Sequence, residues 1–294
     1  MDFRNVQTFL RVAEIKSFTK AARELNYAQS TVTMQIQQLE KELGYQLFNR
    51  IGKTVSLTPM GQAFLHHAYA LQRTVDMAMT LDKSPDRLRG TLRVGVLESL
   101  LFGTMLEVLP VFREQYPNVD LQLRMGQTTE LVQQLKGNSL DMVYLSADQN
   151  TDPDLRSCYL RREQLVFVCG NTHPAAGAKT MEELLEYDFV VTERTGICYG
   201  RLLDLAAAHG KTLRGSIEVD STIAIADAAI HGLGVAFLPR YAVRHHLEKG
   251  TLTEVTVGQG QEYYSQILCH KNHWISPFME GMIRIITEKR PPQE

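Results

Sequence analysis

Apolar residues in the first sixty positions recur at helical spacing, broken by short polar stretches. Val6, Phe9, Leu10 and Ala13 mark the inner face of a first helix that ends near Ile15-Lys16. Thr19 offers a hydroxyl N-cap to a short second helix, with Ala21, Ala22 and Leu25 inward and Asn26 at its end. A third helix follows at once on Val32, Ile36, Leu39 and Leu43, and Gly44 stops it. The turn between the second and third helices is only a few residues long, which sets them at a steep angle as in a helix-turn-helix. In "YQLFNRIGKTVSLTPMG", residues 45–61, a basic turn carrying Arg50, Gly52 and Lys53 separates Leu47-Phe48 from the alternating Val55-Ser56-Leu57, a pattern that predicts a two-stranded wing. Thr58 and Pro59 suit the N-cap and first position of a long helix. Its apolar stripe, Phe64, Ala68, Leu71, Val75, Ala78 and Leu81, has no domain of its own to cover it and is expected to pair with a second copy.

From residue 91 the pattern changes. "TLRVGVLESL" is a β-branched run that breaks at Glu98-Ser99, and a helix over "LFGTMLEVLPVFREQYP" follows. The strand "VDLQLRMG", the helix "TTELVQQLKGN" and the strand "LDMVYLS" complete an alternation expected of a parallel sheet wound with helices. A second α/β set begins after "LVFVCG" and runs through "VAFLPR", and the chain returns with "YSQILCH". The fold class is therefore α/β behind a helical head. We expect a head over residues 1–58, a linker helix over 59–89 and a body over 90–294. Within the body, one lobe takes about 90–161 and 268–294 and the other about 162–267, with a cleft between them.

The chemistry of the head sits on the third helix. With its apolar positions turned inward, Gln29, Ser30, Thr31, Thr33 and Gln35 are left near the N-terminal end, where a recognition helix presents side chains to base edges in the major groove. Gln pairs with adenine through two hydrogen bonds, and Ser and Thr hydroxyls serve bases or phosphates. Arg50 and Lys53 supply charge for phosphate contacts, which give affinity without sequence information. Thr19 completes the candidate DNA-binding set.

Ligands of wound sheets sit beyond the carboxyl ends of the strands, facing helix N-termini. That rule selects Ser99, Thr128, Ser146, Thr195, Gly196 and Ser221 as candidates for holding a small, anionic effector. Cys198 lies early in a predicted helix, where the N-terminal field favours a thiolate, and is a candidate redox sensor or a plain cleft-lining residue. Cys158, Cys169, Cys198 and Cys269 show no CxxC spacing, so neither a zinc site nor a disulfide framework is expected. The histidine pairs lack metal-ligand spacing. "GLGVAFLPR" lacks a phosphate-loop pattern and reads as a helix-to-strand turn. No cofactor is expected.

Charge sharpens the division. Residues 1–90 hold 12 Lys and Arg against 8 Asp and Glu, a net of +4, whereas the remaining 204 hold 19 against 25, a net of −6, so a basic head is joined to an acidic body. No run approaches the length of about 20 apolar residues that spans a bilayer, and a cytoplasmic location is expected.

Residues 9–61 resemble the head of the LysR-type transcriptional regulators. The resemblance rests on Phe18, Ala21-Ala22, Leu25, Gln35-Ile36, Leu39-Glu40, Leu43-Gly44, Leu47-Phe48, Arg50, Leu57-Thr58 and Gly61, and continues more loosely to about residue 287. It implies a winged helix-turn-helix domain, a long linker helix and a two-lobed periplasmic-binding-protein-like α/β effector domain. Double-stranded DNA with an inverted-repeat operator, a small-molecule effector between the lobes, and a homodimer or homotetramer are implied with it. Phe64, Ala68, Leu71, Val75 and Ala78 are then the dimerisation residues. A solute-binding protein without a DNA role is the alternative that the body alone permits. An enzyme is not expected, because no nucleophile–base order, metal cluster or nucleotide loop commits the chain to a reaction.

Overall fold

The computed structural model describes residues 1–51, 54–80, 84–192, 196–257 and 263–291. It divides into two compact units, Met1–Gly90 together with Lys136–Ser139, and Thr91–Leu135 together with Leu140–Glu294.

In the first unit, helix α1 (Phe3–Ile15) is capped by Asp2, whose carboxylate accepts from Arg4 N–H at 2.9 Å. Helix α2 (Phe18–Glu24) starts one residue before the expected cap: Ser17 has the extended backbone a cap needs, and its hydroxyl accepts from Lys20 N–H. Thr19 is therefore an exposed residue inside the helix rather than its N-cap. Helix α3 (Gln29–Leu43) ends at Gly44, whose φ of +80° is the left-handed conformation that glycine adopts without strain. Val32, Ile36 and Leu39 are fully buried against Val6, Phe9 and Val12 of α1 and Ala21 and Ala22 of α2.

Strands β1 (Phe48–Ile51) and β2 (Thr54–Leu57) pair antiparallel, Phe48 opposite Leu57 and Arg50 opposite Val55. Arg50 thus lies in a strand rather than in the turn, and Gly52 and Lys53 lie outside the described residues. The Glu40 carboxylate accepts from the N–H groups of Leu47 and Phe48 at 2.8 and 3.3 Å, tying the end of α3 to the start of the wing.

Helix α4 (Pro59–Thr80) is capped by Thr58, whose hydroxyl accepts from Gly61 N–H at 2.9 Å. Its first half belongs to the head core. Phe64 packs edge-on against Phe9 with ring centroids 5.1 Å apart, and Ala68 is fully buried. The expectation of a stripe with no domain to bury it therefore fails for Phe64 and Ala68. Leu71 and Ala78 remain exposed and Val75 half-buried, while Leu81 lies outside the described residues.

The second unit opens with β3 (Gly90–Val96), a short helix α5 (Glu98–Leu100), a π turn at Leu101–Met105 and α6 (Leu106–Gln115). Next come β4 (Val119–Met125), α7 (Thr128–Lys136), β5 (Met142–Ala147) and β6 (Leu155–Glu163). The second lobe holds β7 (Leu165–Gly170), α8 (Met181–Leu184), β8 (Phe189–Val191), α9 (Ile197–Ala208) and β9 (Ser216–Glu218). It continues with α10 (Thr222–Ile230), β10 (Val235–Pro239), α11 (Arg240–Glu248) and β11 (Leu252–Val255). The chain returns through β12 (Tyr263–His270) and ends on α12 (Pro277–Lys289).

The two five-stranded sheets have the orders β4-β3-β5-β12-β6 and β11-β7-β10-β8-β9. Both are mixed rather than wholly parallel. β3 runs parallel to β5, and β8 to both β9 and β10, as helical crossovers require. β12 is antiparallel to β5 and β6, and β7 to β10 and β11. The antiparallel strands are those by which the chain changes lobe: β6 passes through Gln164 straight into β7, with no crossover helix to set a parallel direction. β12 lies in the first sheet along its whole length, so the return to the first lobe is complete by Tyr263 instead of near residue 268.

Candidate functional site

The start of α3 supplies the first candidate. Its N-cap is Ala28, which makes no side-chain cap, so the polar residues that follow are not spent on closing the helix. Gln29 and Ser30 are exposed, and Thr31 and Thr33 are half-buried. Gln35 differs: its side-chain carbonyl accepts from the buried Thr8 hydroxyl at 2.8 Å, so it braces α3 against α1. Met34, 62% exposed, stands on the outward face among them, a position that polarity alone did not select. An apolar side chain there suits a thymine methyl.

The second candidate is a cleft of about 500 Å³ in the second unit. Four helix starts border it, those of α5, α7, α9 and α10. Among its lining are Ser99, Thr128, Ser146, Gly196 and Ser221, five of the residues selected from the strand ends of the sequence, together with Cys198. Thr195 lies outside the described residues.

The hydroxyls are held in place. Tyr241, on α11, brings its phenol to 2.8 Å from the Ser146 hydroxyl and 3.1 Å from that of Ser99. Burial holds this phenol well above the usual tyrosine range, so it stays a neutral hydrogen-bonding group. Tyr241 also lies beneath the Arg290 guanidinium, 4.8 Å from its ring centroid. Gly103 in the π turn makes room for it, because a Cβ there would come within 2.9 Å of the ring and 3.1 Å of its carbonyl oxygen. No sequence pattern marked Tyr241 or the buried Tyr263, which lines the same cleft.

Across the cleft, Glu98 reaches the start of α10. Its carboxylate accepts from Thr222 N–H at 2.6 Å and from the Ser221 hydroxyl at 3.1 Å. Ser221 in turn accepts from Ala224 N–H, as an N-cap does. A helix N-terminus favours negative charge, and here the protein's own carboxylate occupies it. Among the described lining residues stand Glu98, Glu130 and Asp220, with no Lys, Arg or His. The positive field for an anion therefore comes from the helix starts.

Cys198 is buried, and desolvation pushes its thiol up to about 12. The expected effect of the α9 N-terminus is overcome by burial, which penalises the thiolate. Cys198 lines the cleft. Among the described residues no group of three His, Cys, Asp or Glu could hold a metal ion, and no helix is long and apolar enough to cross a membrane.

Comparison with known proteins separates the same two parts. Residues 3–62 match the model of the bacterial regulatory helix-turn-helix protein, lysR family, and residues 85–291 match the LysR substrate binding domain. The HTH-type transcriptional regulator GltR of Bacillus subtilis is 28% identical over 299 residues, covering 100% of both chains. A full-length OxyR variant from Pseudomonas aeruginosa is similar in structure, with a TM-score of 0.76 at 20% identity over 99% of this chain and 96% of that one. Full-length CbnR complexed with its target DNA gives 0.66 at 19% identity, covering 98% of this chain and 100% of the other.

Proposed function

The chain belongs to the LysR family of bacterial transcriptional regulators, and on that premise we propose how its two candidate sites divide the work. The head, residues 1–58, lays the start of α3 in the major groove, with Gln29, Ser30, Thr31 and Thr33 at base edges. Arg50 and Lys53 meet phosphate. The linker, residues 59–89, joins copies of the chain through Leu71, Val75 and Ala78, so that two heads read inverted half-sites as a homodimer or within a homotetramer. The effector binds in the cleft of the body, residues 90–294, on Ser99, Thr128, Ser146, Gly196 and Ser221; Thr195 is assigned to it from the sequence alone. The protein works in the cytoplasm, as a DNA-binding regulator does.

The observation that carries this reading is convergence. Five residues chosen from separate strand ends border one cleft, and two of their hydroxyls, those of Ser99 and Ser146, bond to one buried tyrosine. A site that only closed helix ends would not need Tyr241. CbnR, similar in fold, is described in complex with its target DNA, which supports the docking assigned to α3.

Glu98 sets the condition for an anionic effector. To reach the α10 N-terminus, its carboxylate or phosphate must take the place of Glu98. The test is a thermal-shift screen of the full-length protein against small carboxylates and amines, repeated on Ser146→Ala and Ser221→Ala. A compound that raises the midpoint of the wild type and loses that effect in both variants supports the cleft. Equal stabilisation of all three proteins would place the effector elsewhere.

A further inference from the structure

Two of the four free cysteines stand together although 111 positions separate them. Cys158 on β6 and Cys269 on β12 bring their sulfurs to 3.1 Å. The cause is a defect in the ladder. Tyr159 pairs with Ile267 and Ser157 with Leu268, so Cys158 is the extra residue of a β-bulge, and a bulge re-aims a side chain. Here it is aimed at the neighbouring strand's thiol. Cys269 is fully buried, whereas Cys158 is half-buried on β6, the edge strand of its sheet, where a small oxidant can reach it.

The surroundings assign different roles to the two sulfurs. The neighbouring Cys269 thiol and the Arg156 guanidinium bring the Cys158 thiol down to about 7. Hydrogen bonding to Cys158 and burial hold Cys269 high, and the Asp141 carboxylate acts in the same direction. The nucleophile and the resolving thiol are thus distinguished by position. Cys169 and Cys198, both buried with thiols raised by desolvation, offer no such partner.

We propose that Cys158 and Cys269 form a reversible dithiol–disulfide pair, oxidised by a peroxide. In the first step the Cys158 thiolate attacks one peroxide oxygen. The O–O bond breaks, hydroxide leaves and takes up a proton as water, and Cys158 becomes a sulfenic acid. In the second step the Cys269 sulfur attacks the Cys158 sulfur, the S–O bond breaks, and a second water leaves with the Cys269 proton. Two thiols and one hydrogen peroxide give one disulfide and two waters. The sulfurs close from 3.1 Å to about 2.0 Å, and a dithiol reductant reverses the change by exchange. The bond staples β6 to β12, the two strands by which the chain leaves and re-enters the first lobe.

The experiment is peroxide titration of the reduced full-length protein, followed by intact mass and non-reducing peptide mapping. The wild type is expected to lose the mass of two hydrogens and to yield a Cys158–Cys269 peptide pair within one chain, restored by dithiothreitol. Cys198→Ser should behave as the wild type, and Cys158→Ser should form no cross-link. In Cys269→Ser a sulfenic acid should remain on Cys158 and be captured by dimedone. If both wild-type thiols stay open to alkylation after peroxide, or Cys158 passes to the sulfinic acid without pairing, the assignment is overturned. A cross-link to Cys198 or between chains would overturn it equally.

Discussion

Single side chains decide the chemistry of the cleft, and Tyr241 governs two of them. Replacing it by Phe takes the phenol away from the buried Ser99 and Ser146 hydroxyls, of which Ser146 keeps its hydrogen bond with Tyr263. An unsatisfied buried hydroxyl costs about 1–3 kcal/mol, so Tyr241→Phe should lower the unfolding free energy by that order in urea titration and weaken the effector found in the screen. Glu98 acts in the opposite sense for anions. Glu98→Gln removes the resident charge from the α10 N-terminus, where charge is worth about 0.3–1 kcal/mol, and should tighten binding of carboxylates several-fold in calorimetry while leaving uncharged compounds nearly unaffected. Weaker carboxylate binding in that variant would show that Glu98 is not their competitor. The thiols give a pH dependence. Iodoacetamide needs the thiolate, so Cys158 should react at half its limiting rate near pH 7 and more slowly below it. Cys198, with its thiol pushed up to about 12, should stay unmodified in the folded protein throughout that range.

At the scale of elements, the helical faces of the head were legible because burial there follows a strict spacing. Val32, Ile36 and Leu39 are all fully buried, and Gly44 stops the helix in the left-handed conformation. The cap of α2 was misread by two residues, since Ser17 and Thr19 are chemically equivalent and only the backbone separates them. β6 was missed for a different reason: "LRSCYLRRE" is the charged edge of a sheet, half solvated, and carries no apolar alternation. Five of the cleft residues were legible one by one from the strand ends, but Tyr263 reaches the cleft, and Tyr241 the Ser99 and Ser146 hydroxyls that line it, only through packing. The same holds for Cys158, whose partner is set by a bulge that local sequence does not announce.

Gly61 shows how closely the elements of the head meet. A Cβ there would lie 2.0 Å from the Leu47 carbonyl oxygen, which no rotamer can relieve. Gly61→Ala should destabilise the protein by about 1–3 kcal/mol, read as a lower melting midpoint and weaker DNA binding together. Gln29→Ala, on an exposed position, should keep the midpoint and lose discrimination at one base pair, about 1–3 kcal/mol by competition titration.

For the whole molecule, the net charge of −2 conceals a basic first part and an acidic remainder. A basic DNA-reading head and a body whose described cleft is lined by carboxylates account for that division. The most direct test of the central claim is footprinting of the full-length protein on genomic DNA from its own source, with Gln29→Ala in parallel. Discrete protected sites built of inverted half-sites, lost or relaxed at matching positions in the variant, are the predicted result. Uniform, salt-sensitive coverage that is the same for both proteins would contradict the assignment of α3 as the reading helix.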